Sequence, residues 1–119
     1  MLAKPNRLRA RRDFKTVYSR GRSVVHPMLV LYHRPSRQKE CRIGFSISKK
    51  LGGAVERNRI KRRLREAVRE NLVKLRPKRD VVFVGRSRLK DADYEAICAV
   101  VRELLKRADL VVELSPSKD

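Results

Sequence analysis

One stretch constrains the fold of this chain more than any other: Lys49 to Arg69, where the densest positive charge rides on a helical apolar stripe. Between Lys49 and Arg65 there are eight basic side chains, opposed only by Glu56. From about Val55 the apolar residues return at Ile60, Leu64, Ala67/Val68, Leu72 and Leu75, the period of a helix with one buried face. At about 100° per residue the opposite side carries Asn58, Arg62, Arg65 and Arg69. Arg57 and Lys61 flank the apolar stripe, and Arg59 lies toward the other edge. The helix therefore packs on one side and offers cations over most of the rest. Just before it, Gly52-Gly53 can take backbone angles that other residues avoid. Free N–H groups in that loop and first turn, beside Lys49 and Lys50, suit a phosphate. The alternative is a solvated helix held by Arg62–Glu66 and Glu70–Lys74 pairs at i,i+4. Cations outnumber such partners too heavily for that to account for the stretch.

The whole chain shares the imbalance. Its 119 residues hold 32 Lys and Arg against 13 Asp and Glu, a formal charge of +19. That length makes one domain, residues 1–119, with a modest core. The charge favours a polyanionic partner, nucleic acid first and an anionic membrane surface second. No apolar run reaches the ~18 residues of a spanning helix. The start, Met1 to Arg7, lacks the apolar centre of a signal peptide, so the expected location is the cytoplasm. Cys41 and Cys98 stand alone and are expected as reduced, half-buried thiols. Residues 1–22 carry eight basic groups against Asp13, whereas residues 91–113 carry three basic and six acidic groups. The cationic surface is thus assigned to the N-terminal segment and the central loop and helix, with the last helix as support.

Taken in order, residues 1–10 read as extended and mobile. Arg11 to Arg20 is a short helix with Phe14, Val17 and Tyr18 on one face and Gly21 at its end. Ser23 to Val25 and Met28 to Arg34 read as strands. Cys41 to Ser48 alternates, with Ile43, Phe45 and Ile47 on one side and Arg42, Gly44, Ser46 and Ser48 on the other. Gly44 leaves its face without bulk, as expected where something approaches the backbone closely. After the central helix come a buried strand at Val81 to Val84 and a final helix capped by Asp91 or Asp93, with Tyr94, Ile97, Cys98, Val101, Leu104, Leu105 and Ala108 inward. Asp109 to Leu114 is ambiguous, and residues 115–119 form a tail expected to be mobile. The pattern predicts a single-domain α+β sandwich in the order α-β-β-β-α-β-α.

Catalytic groups are scarce. His26 and His33 have no Cys/His/Asp companions at ligand spacing, so no metal site is expected in the protein. Gly52-Gly53 lacks the frame of a nucleotide-binding P-loop. Asp91/Asp93 and Glu66/Glu70 serve capping and ion pairing better than metal binding, and metal-dependent nucleases need clustered carboxylates. No catalytic residue is assigned. The residues suit binding of a polyanion such as RNA better than catalysis by the protein itself.

The run Lys49-Lys50, Gly52, Ala54-Val55, Arg57-Asn58-Arg59, Lys61-Arg62 and Arg65-Glu66 resembles the Arg-Asn-Arg motif of the bacterial ribonuclease P protein component. The resemblance extends from near Arg7 through the last helix. It includes Arg7-Leu8, Asp13-Phe14, Tyr18 and Gly21, with Tyr18 where Phe is commoner. It implies a left-handed β-α-β crossover through the basic motif, a rare connection. It also implies that the protein assists an RNA subunit that removes the 5′ leader of precursor tRNA by Mg²⁺-dependent hydrolysis. Carried onto this chain, Lys49, Lys50, Arg57, Arg59, Arg62, Arg65 and Arg69 face the catalytic RNA. Phe14, Tyr18 and Tyr32 match the aromatic positions of a cleft for the single-stranded leader, and Asn58 and Lys61 match leader-binding positions near it. The implied partners are ribonuclease P RNA and precursor tRNA, with no membrane and no small-molecule substrate. Mg²⁺ is held mainly by RNA. From spacing alone, Phe14 and Tyr18 read as core packing; the resemblance reverses that reading. A general RNA-binding module needs the same charges and differs by not binding ribonuclease P RNA. A peripheral membrane protein needs an exposed bulky apolar helix face, which here is spent on the core.

Overall fold

The computed structural model describes residues 4–71 and 74–112. The helix α1 (Arg11–Arg20) leads into strands β1 (Arg22–Val25), β2 (Leu29–Pro35) and β3 (Arg42–Ser46), then helix α2 (Ala54–Arg69), strand β4 (Arg79–Gly85) and helix α3 (Tyr94–Arg107). Short 3₁₀ turns at Lys4–Asn6, Lys49–Leu51 and Ser87–Asp91 punctuate them. The strands form one sheet in the order β1-β2-β4-β3, antiparallel except for the parallel pair of β3 and β4.

Alternation along the strands makes the sheet two-faced. Leu29, Leu31, Ile43, Val81 and Phe83 point to one side, where Ile60, Leu64, Ala67 and Val68 of α2 and Ile97, Val101, Leu104 and Leu105 of α3 close the main core. Phe45 stacks on Phe83 across the parallel pair, centroids 6.0 Å apart. On the other side Val82 meets Leu8 and Val17, with Phe14, Tyr32 and Val84 at the margin. The result is a three-layer sandwich, α1 on one face and α2 with α3 on the other.

Stereochemistry gives the hand of the crossover. Ile43 turns its side chain into the core on the α2 side, and its carbonyl accepts from the Leu8 N–H at 3.0 Å, away from β4. Viewed from α2 with β3 running upward, an L-residue whose side chain faces the viewer directs its carbonyl to the right. β4 therefore lies to the left, and β3-α2-β4 is left-handed, as the resemblance implies and against the usual preference.

Several boundaries differ from the sequence reading. The central helix ends at Arg69, although the apolar period runs on to Leu75. Leu75 is buried, but through a bridge to Val111, and Leu72 lies outside the described residues, as does the tail 115–119. Val55 is off the stripe and 72% exposed. Asp93 caps α3, accepting from the Ala96 N–H at 2.8 Å. Both cysteines are buried rather than half-buried, and burial pushes the Cys41 thiol up to about 12. Residues 4–9 lie along the outer edge of β3 instead of standing free. Asn6 donates to the Cys41 carbonyl at 2.9 Å, Leu8 is buried, and Arg7 bridges Ile43 in parallel.

One strand residue makes stability depend on pH. Burial, and then the nearby guanidinium groups of Arg22 and Arg79, hold the His33 imidazole below its ordinary 6.5. As pH falls, the unfolded chain takes up this proton before the folded one does. The contribution is therefore complete above the unfolded value and is lost on acidification. His33→Gln should flatten the fall in denaturation midpoint between about pH 7.5 and pH 5.5. An unchanged slope would show that this imidazole does not couple to folding.

Candidate nucleic-acid interface

The N-terminal strap, α1, β3 and α2 converge around the outer edge of β3. They enclose an open cavity of about 360 Å³ lined by Leu8, Phe14, Ile43, Gly44 and Phe45, with Arg7, Arg9, Lys61 and Arg65 at its rim. Phe14 is seated by Gly44: a Cβ there would stand 2.4 Å from Phe14 Cζ and 3.1 Å from the Leu8 carbonyl. The close approach expected at Gly44 is thus made by the protein's own aromatic ring.

From Phe14 the aromatic surface continues along α1. Phe14 and Tyr18 stand edge to face at 6.4 Å, and Tyr18 and Tyr32 at 5.0 Å. A closed core is excluded as their common environment, because Tyr18 is 39% exposed and the other two are half-buried. The groove's walls are tied together by Arg42. Its guanidinium grips the buried Asp80 carboxylate of β4 through two hydrogen bonds, 2.9 and 2.8 Å, and reaches Asp13 of α1 at 3.6 Å. The hydrogen bond to Asp80 raises the Arg42 pKa further above its ordinary value.

On α2, position along the helix divides the cations in two. Arg57, Lys61 and Arg65 recur every four residues as a half-buried ridge, and the last two border the Phe14 cavity. Asn58, Arg59, Arg62 and Arg69 point outward. Arg65 thus belongs with the aromatic cavity, although a helical wheel places it on the far side. Lys49, Lys50, Asn58, Arg59, Lys61, Arg62 and Arg65 make no side-chain hydrogen bond or ion pair among the described residues. The acidic partners considered for a self-satisfied helix are engaged elsewhere. Glu66 pairs with Arg69 at 2.9 Å, and Glu70 accepts the Tyr94 hydroxyl at 2.6 Å. That hydroxyl bond is the main reason the Tyr94 pKa rises.

Arg9 lines the cavity although sequence reasoning gave it no individual role, and Arg7 was singled out only as part of the N-terminal pattern. Both flank Leu8, which is buried, and all three line the cavity; no periodic signal in the sequence marks them. No carboxylate lines the cavity among the described residues. No cluster of three or more His, Cys, Asp or Glu able to hold a metal ion occurs among the described residues.

Fold and site together define a small basic α+β protein whose exposed groups suit holding an extended polyanion, not acid–base chemistry. The comparisons narrow that class. The family profile described as Ribonuclease P matches residues 2–109. The chain is 39% identical to the ribonuclease P protein component of Caldanaerobacter subterraneus, over 95% of this chain and 97% of that one. It is 43% identical to that of Herpetosiphon aurantiacus, over 92% and 89%. The solved ribonuclease P protein of Staphylococcus aureus superposes with a TM-score of 0.83 at 32% identity, covering 89% of this chain and 97% of that one. That of Thermotoga maritima superposes with a TM-score of 0.78 at 31%, covering 85% and 96%. The chain belongs to the ribonuclease P protein family. Its function is accordingly that of a protein subunit in a ribonucleoprotein endoribonuclease that processes tRNA.

Proposed function

We propose that this chain binds the catalytic RNA through the outward cations of α2 and its preceding turn, and holds the single-stranded 5′ leader of precursor tRNA in the groove between α1 and the sheet. The observation that carries this reading is the continuity of Phe14, Tyr18 and Tyr32 with a cavity rimmed by Arg7, Arg9, Lys61 and Arg65. Sequence-tolerant binding of single strands needs these two components: faces on which bases stack, and cations that track the backbone. Lys49, Lys50, Arg59, Arg62 and Arg69 lie on the outward surface that meets the catalytic RNA. Arg57 is assigned to the catalytic RNA with them, and Asn58 to the leader. Mg²⁺ is required by the assembly and bound through RNA phosphates, where the protein's cations replace part of the screening. The assembly works in the cytoplasm. Among the described residues no helix is long and apolar enough to cross a membrane.

Cleavage of precursor tRNA by the matching RNA, titrated with Mg²⁺ with and without this protein, tests the reading. The protein alone should not cleave, and added to its RNA it should lower the Mg²⁺ required. Arg62→Ala should weaken RNA binding at every leader length and reduce the salt slope by about 0.7–0.9 for each phosphate that the side chain no longer neutralises. Arg65→Ala should add a loss that grows with leader length, since Arg65 borders the aromatic cavity. Cleavage by RNA-free protein, or an Arg62→Ala variant with unaltered affinity and salt slope, would overturn this reading.

A further inference from the structure

A second cationic surface lies at the end of the sheet, where β3 and β4 both finish. After Gly85 the chain reads Arg86-Ser87-Arg88-Leu89-Lys90 and winds into the 3₁₀ turn that precedes α3. Leu89 is its one buried member and packs beneath Gly85 together with Ile47 and Leu51. A Cβ on Gly85 would stand 2.9 Å from both Ile47 and Leu89, and 3.8 Å from Leu51. This apolar pin docks the turn against Lys49–Leu51, the turn that opens the basic motif. With Leu89 held inward, Arg86, Arg88 and Lys90 are all exposed.

Little in the protein occupies those cations. Arg88 and Lys90 make no side-chain hydrogen bond or ion pair among the described residues. Among the described residues the Arg86 side chain donates only to the His26 carbonyl, at 3.5 Å. Arg86, Ser87 and Arg88 line an open groove of about 440 Å³ together with Val25 and Pro27 of the β1–β2 hairpin, with no carboxylate among its described lining. Val25 is 52% exposed there, so the groove offers apolar surface beside the charged side chains.

We infer that the turn Arg86–Lys90 and its groove are a further RNA-binding surface, continuous with Lys49 and Lys50, which takes backbone phosphates while Val25 and Pro27 contact sugar or base. An RNA partner follows from three features: guanidinium groups suited to bidentate phosphate contact, a groove without acidic counter-charge, and direct contact with the turn assigned to the catalytic RNA. The inference rests on that assignment and extends the footprint from one helix face across the end of the sheet.

The test uses the full-length protein with three partners: in vitro transcribed ribonuclease P RNA, precursor tRNA, and precursor tRNA bound to the assembled holoenzyme. Binding is measured across a salt series for Arg86→Ala/Arg88→Ala, with a melting curve for the variant and Arg62→Ala in parallel. The expected result is an unchanged melting temperature, weaker binding at low salt, and a salt slope reduced by roughly 1.4–1.8 for two phosphate contacts. Loss on the ribonuclease P RNA arm assigns the surface to that RNA, and loss only on the holoenzyme arm assigns it to precursor tRNA. Arg86→Lys/Arg88→Lys should restore most of the slope. Unchanged affinity and slope on all three arms, with Arg62→Ala still defective, would overturn this inference and leave the proposed function standing. If Arg62→Ala is also silent, both fall.

Discussion

Asp80→Ala should cost about 3 kcal/mol of folding free energy, the low end of the range for orphaning one member of a buried pair. In a domain of this size that is a fall of roughly 10–20 °C in melting temperature. The Asp80 side chain is 6% exposed and its partner Arg42 19% exposed, so the stranded guanidinium keeps some access to water. That access places the cost at the low end. Two hydrogen bonds of 2.9 and 2.8 Å would be removed together, along with the link from β4 through β3 to Asp13 of α1. Replacing both partners by apolar residues, Arg42→Met/Asp80→Leu, should recover much of the loss, because no charge is then left buried. Urea denaturation of the three proteins measures this. A single mutant within about 1 kcal/mol of the parent would mean that the pair does not hold the layers together.

The fold was legible where the chain obeys its own period. Alternation at Ile43, Phe45 and Ile47 and the stripe Ile60, Leu64, Ala67 and Val68 each reported a local geometry that the structure keeps. The overrun to Leu75 arose because an apolar residue in the right phase can be buried by another element, here the bridge to Val111. Contacts distant in sequence carried no such local signature. Nothing near Arg42 announces Asp80, 38 residues away. Nothing in the basic run around Leu8 announces a strap over β3. Arg65 was placed outward for the same reason: a wheel describes one helix, whereas the strap that brings Arg7 and Arg9 alongside Arg65 comes from the other end of the chain. The resemblance supplied what periodicity lacked, grouping Phe14, Tyr18, Tyr32 and Lys61 across three elements.

Those aromatics carry the second large expected effect. Tyr18→Ala, Phe14→Ala and Tyr32→Ala should each weaken binding of precursor tRNA with several leader nucleotides by ~1–3 kcal/mol per missing stack, roughly 5- to 150-fold. Mature tRNA, which has no leader, should bind almost as before. The three positions differ in how far folding confounds the result. Tyr18, 39% exposed, has the least packing to lose and should melt near the parent temperature. Phe14 and Tyr32 border the cluster of Leu8, Val17 and Val82, and their truncation should lower stability modestly. Gly44→Ala separates position from chemistry. It keeps every aromatic ring but sets a methyl 2.4 Å from where Phe14 Cζ now rests, so Phe14 must leave its seat beside the cationic rim. If the groove works as a stacking platform, Gly44→Ala should lower the ratio of precursor to mature tRNA affinity as Phe14→Ala does. A preserved ratio in Tyr18→Ala and Gly44→Ala, with the melting temperature falling instead, would assign the aromatics to packing alone. The leader would then have to be held by the cations without a base-stacking surface.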